Sequence, residues 1–349
     1  MLKVINVGQG DAFLFTPSGC MYEDELLLID TGVSQANVAS LLSPGEYSVM
    51  ITHSHHDHMG GLPALMRAGM VKNLIIPYYL PEVTRIAKYL DRHVRSRITT
   101  PDWRRLRKLP IQFVCEGSEL CGHATVLNPP GEVREVDFTL PADSLEQDIR
   151  GALETLSELG LDLPIDDIVN YTPPVSPDDD PGYPEKAQSF VHTFFIGLAL
   201  DLRRHQVRDH AYYLAKHLEL TANQASIVFR HRGHQYNWLF TGDADERVFN
   251  RLIDKGVDIS AHILKVPHHG SRENLSRPIL KKISPYYAVV SHGNRKFGRS
   301  KDTHPHHEVI DLLDEMNIQT FYTNAVIKDG DLIKNQTSGV ALKAFIEFI

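Results

Sequence analysis

The chain of 349 residues predicts an α/β protein with a mainly helical, acidic insertion. Three observations lead there. Short apolar runs of strand type recur through residues 1–80 and again after 225, runs of helical period stand between them, and residues 135–215 differ in composition from the text on either side.

Strands are expected at Leu2 to Val7, Ala12 to Thr16, Glu25 to Asp30, Ser48 to Thr52 and Asn73 to Pro77, each bounded by Gly, Pro, Ser or Asn. Gly60 and Gly61 release the chain into a helical run, Leu62 to Ala68. Residues 82–108 predict a basic amphipathic helix: Val83, Ile86, Ala87, Leu90 and Val94 keep a helical period among Arg85, Lys88, Arg92, Arg95, Arg97, Arg104, Arg105, Arg107 and Lys108. Such a helix is either a solvated face or a phosphate-binding rim. Strand-type text returns at Ile111 to Val114 and Ala124 to Asn128 and stops at Pro129-Pro130.

A single domain with its core in 1–134 and 216–349 is then interrupted by the insertion, 135–215. The insertion holds an acidic helical stretch around Leu145 to Leu159, a Pro/Asp loop from Pro173 to Pro184 and a helix-like piece from Val207 to Leu218. Asp178-Asp179-Asp180, in a proline-rich loop without histidines, reads as exposed linker. Strands resume at Ala225 to Arg230, Trp238 to Thr241, His262 to Val266 and Tyr287 to Ser291. A helix from His307 to Met316 precedes strands near Thr320 to Thr323 and Ala341 to Ile349.

Composition narrows the function classes. A formal net charge of −8 argues against a surface built as a whole to hold nucleic acid, while leaving room for a local basic patch. Cys20, Cys115 and Cys121 form no CxxC pair and read as reduced thiols of a cytoplasmic protein. Met1 to Ile5 already reads as strand, so no leader is expected, and the apolar stretch near Phe194 to Leu200 is too short for a bilayer. No GxxxxGK loop or GxSxG elbow is present.

The chemistry concentrates in Thr52-His53-Ser54-His55-His56-Asp57-His58. Histidines two apart in an extended segment point the same way, so His53 and His55 suit one ion, and Asp57 and His58, in the turn that follows, reach a second. The second half adds Phe240-Thr241-Gly242-Asp243, a strand end carrying a carboxylate that suits a bridge between ions, and His268-His269-Gly270-Ser271 after another apolar strand. Each of these later motifs alone is weak; the order HxHxDH, TGD, HHGS is not.

That ordered set resembles the metallo-β-lactamase superfamily, in particular its branch containing the soluble domain of the competence protein ComEC. The likeness also takes in Val7-Gly8-Gln9-Gly10-Asp11, Leu28-Ile29-Asp30-Thr31-Gly32, the NQAS run with Asn223 and Ser226, LKVPHHGS, and His304-Pro305. It implies an αββα sandwich with the metal site at one edge. It further implies two divalent ions, zinc or manganese: one on His53 and His55, the other on Asp57 and His58, with Asp243 bridging and one of His268 and His269 completing the second site. His269 is the favoured ligand, with His268 facing the substrate. Asn223 stands where many superfamily hydrolases carry another histidine, and His123, His231 and His234 are the available substitutes. Asp11 and Asp30 are expected to orient the ligand loops.

Two ions a few ångströms apart lower the pKa of a shared water, giving a hydroxide poised for in-line attack, and offset charge developing on a phosphoryl oxygen. The expectation is therefore a metal-dependent hydrolase, foremost a phosphodiesterase or nuclease acting on DNA or RNA through that hydroxide. Asp57, His268 and His304 are its catalytic candidates, His304 for phosphate contact or proton donation, and Asn223, Ser271 and Asn294 its substrate contacts. The alternatives are an esterase for small phosphocholine-type diesters, a lactonase or thioesterase, and a non-catalytic regulatory module. No membrane association is expected, and the insertion offers a docking surface for protein partners.

Overall fold

The computed structural model describes residues 1–16, 26–120, 123–136, 148–205, 210–294, 303–342 and 346–348. Cys20, Cys121 and the starts of the expected helices at Leu145 and Val207 lie outside them.

Two mixed sheets make the centre. In spatial order the first is β16 (Gly339–Ala341), β17 (Ile346–Phe348), β1 (Leu2–Val4), β2 (Phe13–Phe15), β3 (Leu27–Ile29), β4 (Tyr47–Met50), β5 (Val71–Pro77) and β6 (Ile111–Val114). The second is β13 (Gln319–Tyr322), β12 (Tyr287–Val290), β11 (Ile263–Lys265), β10 (Asn237–Phe240), β9 (Val228–Arg232), β8 (Ala124–Asn128) and β7 (Glu119–Leu120). A hairpin, β14 (Val326–Lys328) and β15 (Asp331–Lys334), stands apart. The strands β3 to β6 run parallel, as do β10 to β13.

The sheets pack face to face through Phe13, Phe15, Ile29 and Met50 from one and Phe229, Trp238, Phe240 and Val289 from the other. Helices cover both outer faces: α1 (His56–Met59), α2 (Leu62–Arg67) and α4 (Trp103–Leu106) bring Met59, Leu62, Leu65 and Leu106 against the first sheet. The second is covered by α9 (Glu246–Asp254), α10 (Arg277–Ile283) and α11 (His307–Glu315) through residues such as Phe249, Leu280 and Leu313. This is the αββα sandwich, and open parallel strands of this kind present ligand sites beyond their carboxyl ends.

The basic segment differs from the expected continuous helix. It is a helix, α3 (Leu80–Leu90), then an extended stretch, then the short α4. Pro101 cannot sit inside a helix, Asp102 caps α4 by accepting from Arg104 N at 3.1 Å, and the stretch spends its backbone on the His-rich loop instead. Arg97 O accepts from His56 N at 2.8 Å, and Thr99 N donates to Ser54 O at 2.7 Å.

A separate core joins α3 to the helices α5 (Ile149–Glu158), α6 (Ile165–Val169), α7 (Tyr183–His205) and α8 (His210–Gln224). The long α7 was not expected from the sequence, although its buried Ala187, Phe190, Val191, Phe194, Leu198 and Leu202 recur three and four apart. Glu82 of α3 is sealed beneath this layer, accepting from Tyr171 at 3.0 Å and Tyr183 at 2.8 Å. Asp180 is more than linker: it accepts from the Tyr78 hydroxyl and pairs with Lys186 at 3.2 Å, while Asp178 and Asp179 are exposed.

Candidate metal centre

Four strand ends converge at one edge. The chain leaves β4, buried along its whole length, directly into His53, Ser54 and His55, and the single turn of α1 follows with Asp57 and His58. Asp30 follows β3, Asp243 follows β10, and His269 follows β11. A close backbone approach from the start of the chain locks the loop: Asp11 N donates to Asp57 O at 3.1 Å, and a Cβ on Gly10 (φ 137°) would stand 2.3 Å from that carbonyl oxygen. Only glycine fits there.

The side chains fall into two groups, with the Asp243 carboxylate of the first lying against the second. Ligand atoms of His53, His55 and Asp243 lie within 4.8 Å of one another, as do those of Asp57, His58 and His269. Between the groups, Asp243 Oδ2 is 3.7 Å from His53 Nε2 and 3.8 Å from His269 Nε2, and Oδ1 is 3.2 Å from His58 Nε2. His269 Nε2 is 3.5 Å from Asp57 Oδ2.

The other ring nitrogens are taken. His58 Nδ1 meets Asp30 Oδ2 at 2.8 Å and His269 Nδ1 meets Ser291 O at 2.9 Å, which directs each Nε2 inward. Asp30 is itself held by Thr52 N at 2.7 Å and Thr52 Oγ1 at 2.8 Å. Nε2 of His55, His58 and His269 and Oδ1 of Asp243 are buried without a hydrogen-bond partner among the described residues. Buried polar atoms rarely go unpaired, and nitrogen and carboxylate donors aimed at common points suit divalent cations. The residues fit two such ions.

Burial drives the His53 imidazole well below its ordinary range and His55 down to about 3, leaving lone pairs available. Burial also opposes charge on His58 and His269, yet the surrounding carboxylates outweigh it. Asp243 and Asp30 carry His58 well up, and Asp243 and Asp11 carry His269 to about 10. The carboxylates thus favour the charged form of both rings, and metal binding would compete with those protons.

Residues 5–168 match the family model of the metallo-beta-lactamase superfamily. The match covers just under half of the chain and takes in His53, His55, Asp57 and His58. It is 28% identical over 102 residues to ComE operon protein 3 of Bacillus subtilis (strain 168), a stretch covering 29% of this chain and 13% of that protein's length. Among solved structures it is similar to a CmlA beta-hydroxylase mutant, 12% identical with a TM-score of 0.41, over 91% of this chain and 52% of that one. It is also similar to BJP-1, a subclass B3 metallo-beta-lactamase of Bradyrhizobium japonicum, 12% identical with a TM-score of 0.26, over 56% of this chain and 88% of that one. Asp243 and His269 lie beyond the matched residues and come to the centre through the second sheet.

The remaining sequence candidates divide. His268 stands beside the centre, Nε2 3.7 Å from Asp243 Oδ2 and Nδ1 3.1 Å from Asn274 Oδ1, and its side chain is 21% exposed against 0% for His269. Both take left-handed backbone (φ 46° and 55°), a strained pair that brings both rings to Asp243 Oδ2. The His304 ring packs 5.2 Å from that of His268. Ser271 closes the turn, its N donating to His268 O at 3.0 Å. Asn223, near the end of α8, keeps a buried Oδ1 without a partner among the described residues.

Asn294 fastens a turn: its amide Nδ2 donates to Ala325 O at 2.6 Å and its Oδ1 accepts from Ile327 N at 3.2 Å, which leaves one N–H and one lone pair over. The substitute histidines fall away: β9 runs from the centre toward Arg232 and β10 returns, which leaves His231, His234 and His123 at the far end of the sheet, roughly 10 Å along the strands. His231 packs against Phe15 inside the sandwich.

Sequence reading missed Lys265 and Glu219. Lys265 pairs with Asp11, donates to Gly242 O at 2.7 Å and lies 3.7 Å from Asp243 Oδ1. Glu219 of α8 pairs with Arg97 at 3.7 Å. The lysine sits in an apolar strand run, where only the identity of its neighbours marks it as buried.

Proposed function

We propose that this protein is a two-metal phosphodiesterase of the metallo-β-lactamase superfamily that cleaves nucleic acid. The observation that carries the reading is the pair of three-residue groups, one holding Asp243 and the other within 4 Å of that carboxylate through His58 and His269, with inward atoms buried and unpaired among the described residues. Zinc or manganese would be held by His53, His55 and Asp243 on one side and by Asp57, His58, His269 and Asp243 on the other. Bound there, the ions supply Lewis acidity toward water and toward a phosphoryl oxygen.

The protein's own groups do the positioning. Asp30 and Ser291 fix the rings of His58 and His269, and Lys265 neutralises Asp11 behind Asp243. His268, half-turned to solvent and oriented by Asn274, is the side chain set to meet the substrate. Burial and the neighbouring His268 and His269 rings hold the His304 imidazole down in its neutral form, so it offers a polar contact without charge. The basic segment that gives its backbone to the His-rich loop favours a polyanion over a lactam or thioester. A cytoplasmic setting accords with the free thiol of Cys115.

The test is a substrate panel of polynucleotides, bis(p-nitrophenyl) phosphate, phosphocholine diesters and lactones, run on metal-loaded protein and on His55→Ala. Phosphodiester cleavage by the wild type and its loss in the variant is the expected result. Cleavage confined to lactones, or none at all, rules the reading out.

A further inference from the structure

Residues 80–110 carry nine Lys and Arg against three Asp and Glu, in a chain whose total charge is −8. The structure sorts these cations. Arg92, Arg97 and Arg105 face carboxylates, of Asp162 at 3.9 Å, Glu219 at 3.7 Å and Asp102 at 3.4 Å. Arg85, Lys88, Arg95 and Arg104 have no carboxylate within 4 Å among the described residues, and all four line one cleft of about 1050 Å³.

The cleft lies between α3, the 94–104 stretch and, from the helical insertion, Thr172 and Pro174. Its two carboxylates are Asp91 and Asp102, the second already committed to capping α4 and to Arg105. Trp103 forms part of the wall, its ring fixed by Nε1 donating to Thr84 Oγ1 at 3.1 Å. The stretch also joins the cleft to the metal centre: Ile98 lines the cleft and pairs with His55, and the flanking Arg97 and Thr99 bond the same loop.

We infer that this cleft is a binding tract for single-stranded nucleic acid, which holds the strand's phosphates on Arg85, Lys88, Arg95 and Arg104 and leads it over the 96–100 stretch toward the metal ligands. The inference rests on the phosphodiesterase reading and adds its substrate form. Cations with no carboxylate within 4 Å among the described residues, Arg85 resting on the Tyr89 ring, and an aromatic wall are what a flexible strand with unstacked bases uses. A duplex is too stiff to be sunk between walls without costly bending.

The test is fluorescence anisotropy of a labelled oligodeoxythymidylate with the full chain in chelator, so that binding is read without hydrolysis. The variant Arg85→Gln/Lys88→Gln/Arg95→Gln/Arg104→Gln, checked by circular dichroism, is expected to bind at least about tenfold more weakly, with a salt slope lower by about 3. Should it misfold, Arg95→Gln and Arg104→Gln alone, both at exposed positions, should each lower the slope by about 0.7. Unchanged affinity and slope, or a duplex competing as well as the single strand, overturns the tract. Wild-type protein that cleaves bis(p-nitrophenyl) phosphate but does not hold the strand refutes the tract alone; strand binding without any diester cleavage refutes the phosphodiesterase alone.

Discussion

Lys265 and Asp11 form an ion pair closed off from solvent, 4% and 1% exposed, with the Lys265 ammonium 3.7 Å from Asp243 Oδ1. Burial works against the charge on Lys265, and Asp11 and Asp243 more than offset it. Removing one member of a buried pair strands the other, at a cost of about 3–5 kcal/mol. Lys265→Met and Asp11→Asn should each lose about that much in urea unfolding of the chelator-treated protein. The double variant should lose clearly less than the sum. Additive losses would show that the two charges do not depend on each other.

Gly10 sets the distance between the first loop and Asp57. An added Cβ, on backbone that side chains avoid, meets the Asp57 carbonyl oxygen at 2.3 Å, so Gly10→Ala must push the loop away. A destabilisation of about 1–3 kcal/mol is expected, with a fall in bound metal read by elemental analysis. Gly8→Ala, where no atom lies within 4 Å of the added carbon, should keep its metal.

Much of the centre was legible in the sequence because its residues stand at the ends of apolar runs. His53 to His58, Asp243 and His269 each follow a strand, and strand ends are where an open sheet gathers side chains. What was not legible depends on partners distant in sequence. Glu82 reads as one polar position on a helix, and only the packing of Tyr171 and Tyr183 makes it a buried acid. The left-handed backbone of Asn294 (φ 54°) and its bonds to 325 and 327 likewise come from a turn that the sequence does not mark. The break of the basic helix at Pro101 was available in the sequence; the pairing of Ile98 with His55 was not.

Glu82 makes stability depend on pH. Burial raises its carboxyl from 4.5 to about 7, against the two tyrosine donors that favour the charged form. The folded state therefore holds a proton that the unfolded state gives up near pH 4.5, and stability falls as pH rises from about 4.5 to about 7. Above that range the full penalty is present, on the order of 3 kcal/mol. Glu82→Gln removes the titration, so its melting temperature relative to wild type should climb between pH 5 and pH 8. A difference that stays flat with pH would mean the carboxyl titrates normally.

The central claim is that two divalent ions work together on a phosphodiester at the Asp243 carboxylate. Its most direct test is the rate of bis(p-nitrophenyl) phosphate hydrolysis as metal-free protein is titrated with manganese or zinc. The account predicts no activity at the start and a rise that levels off at two equivalents per chain, absent in Asp243→Asn. Activity in metal-free protein, or a plateau at one equivalent, would contradict it.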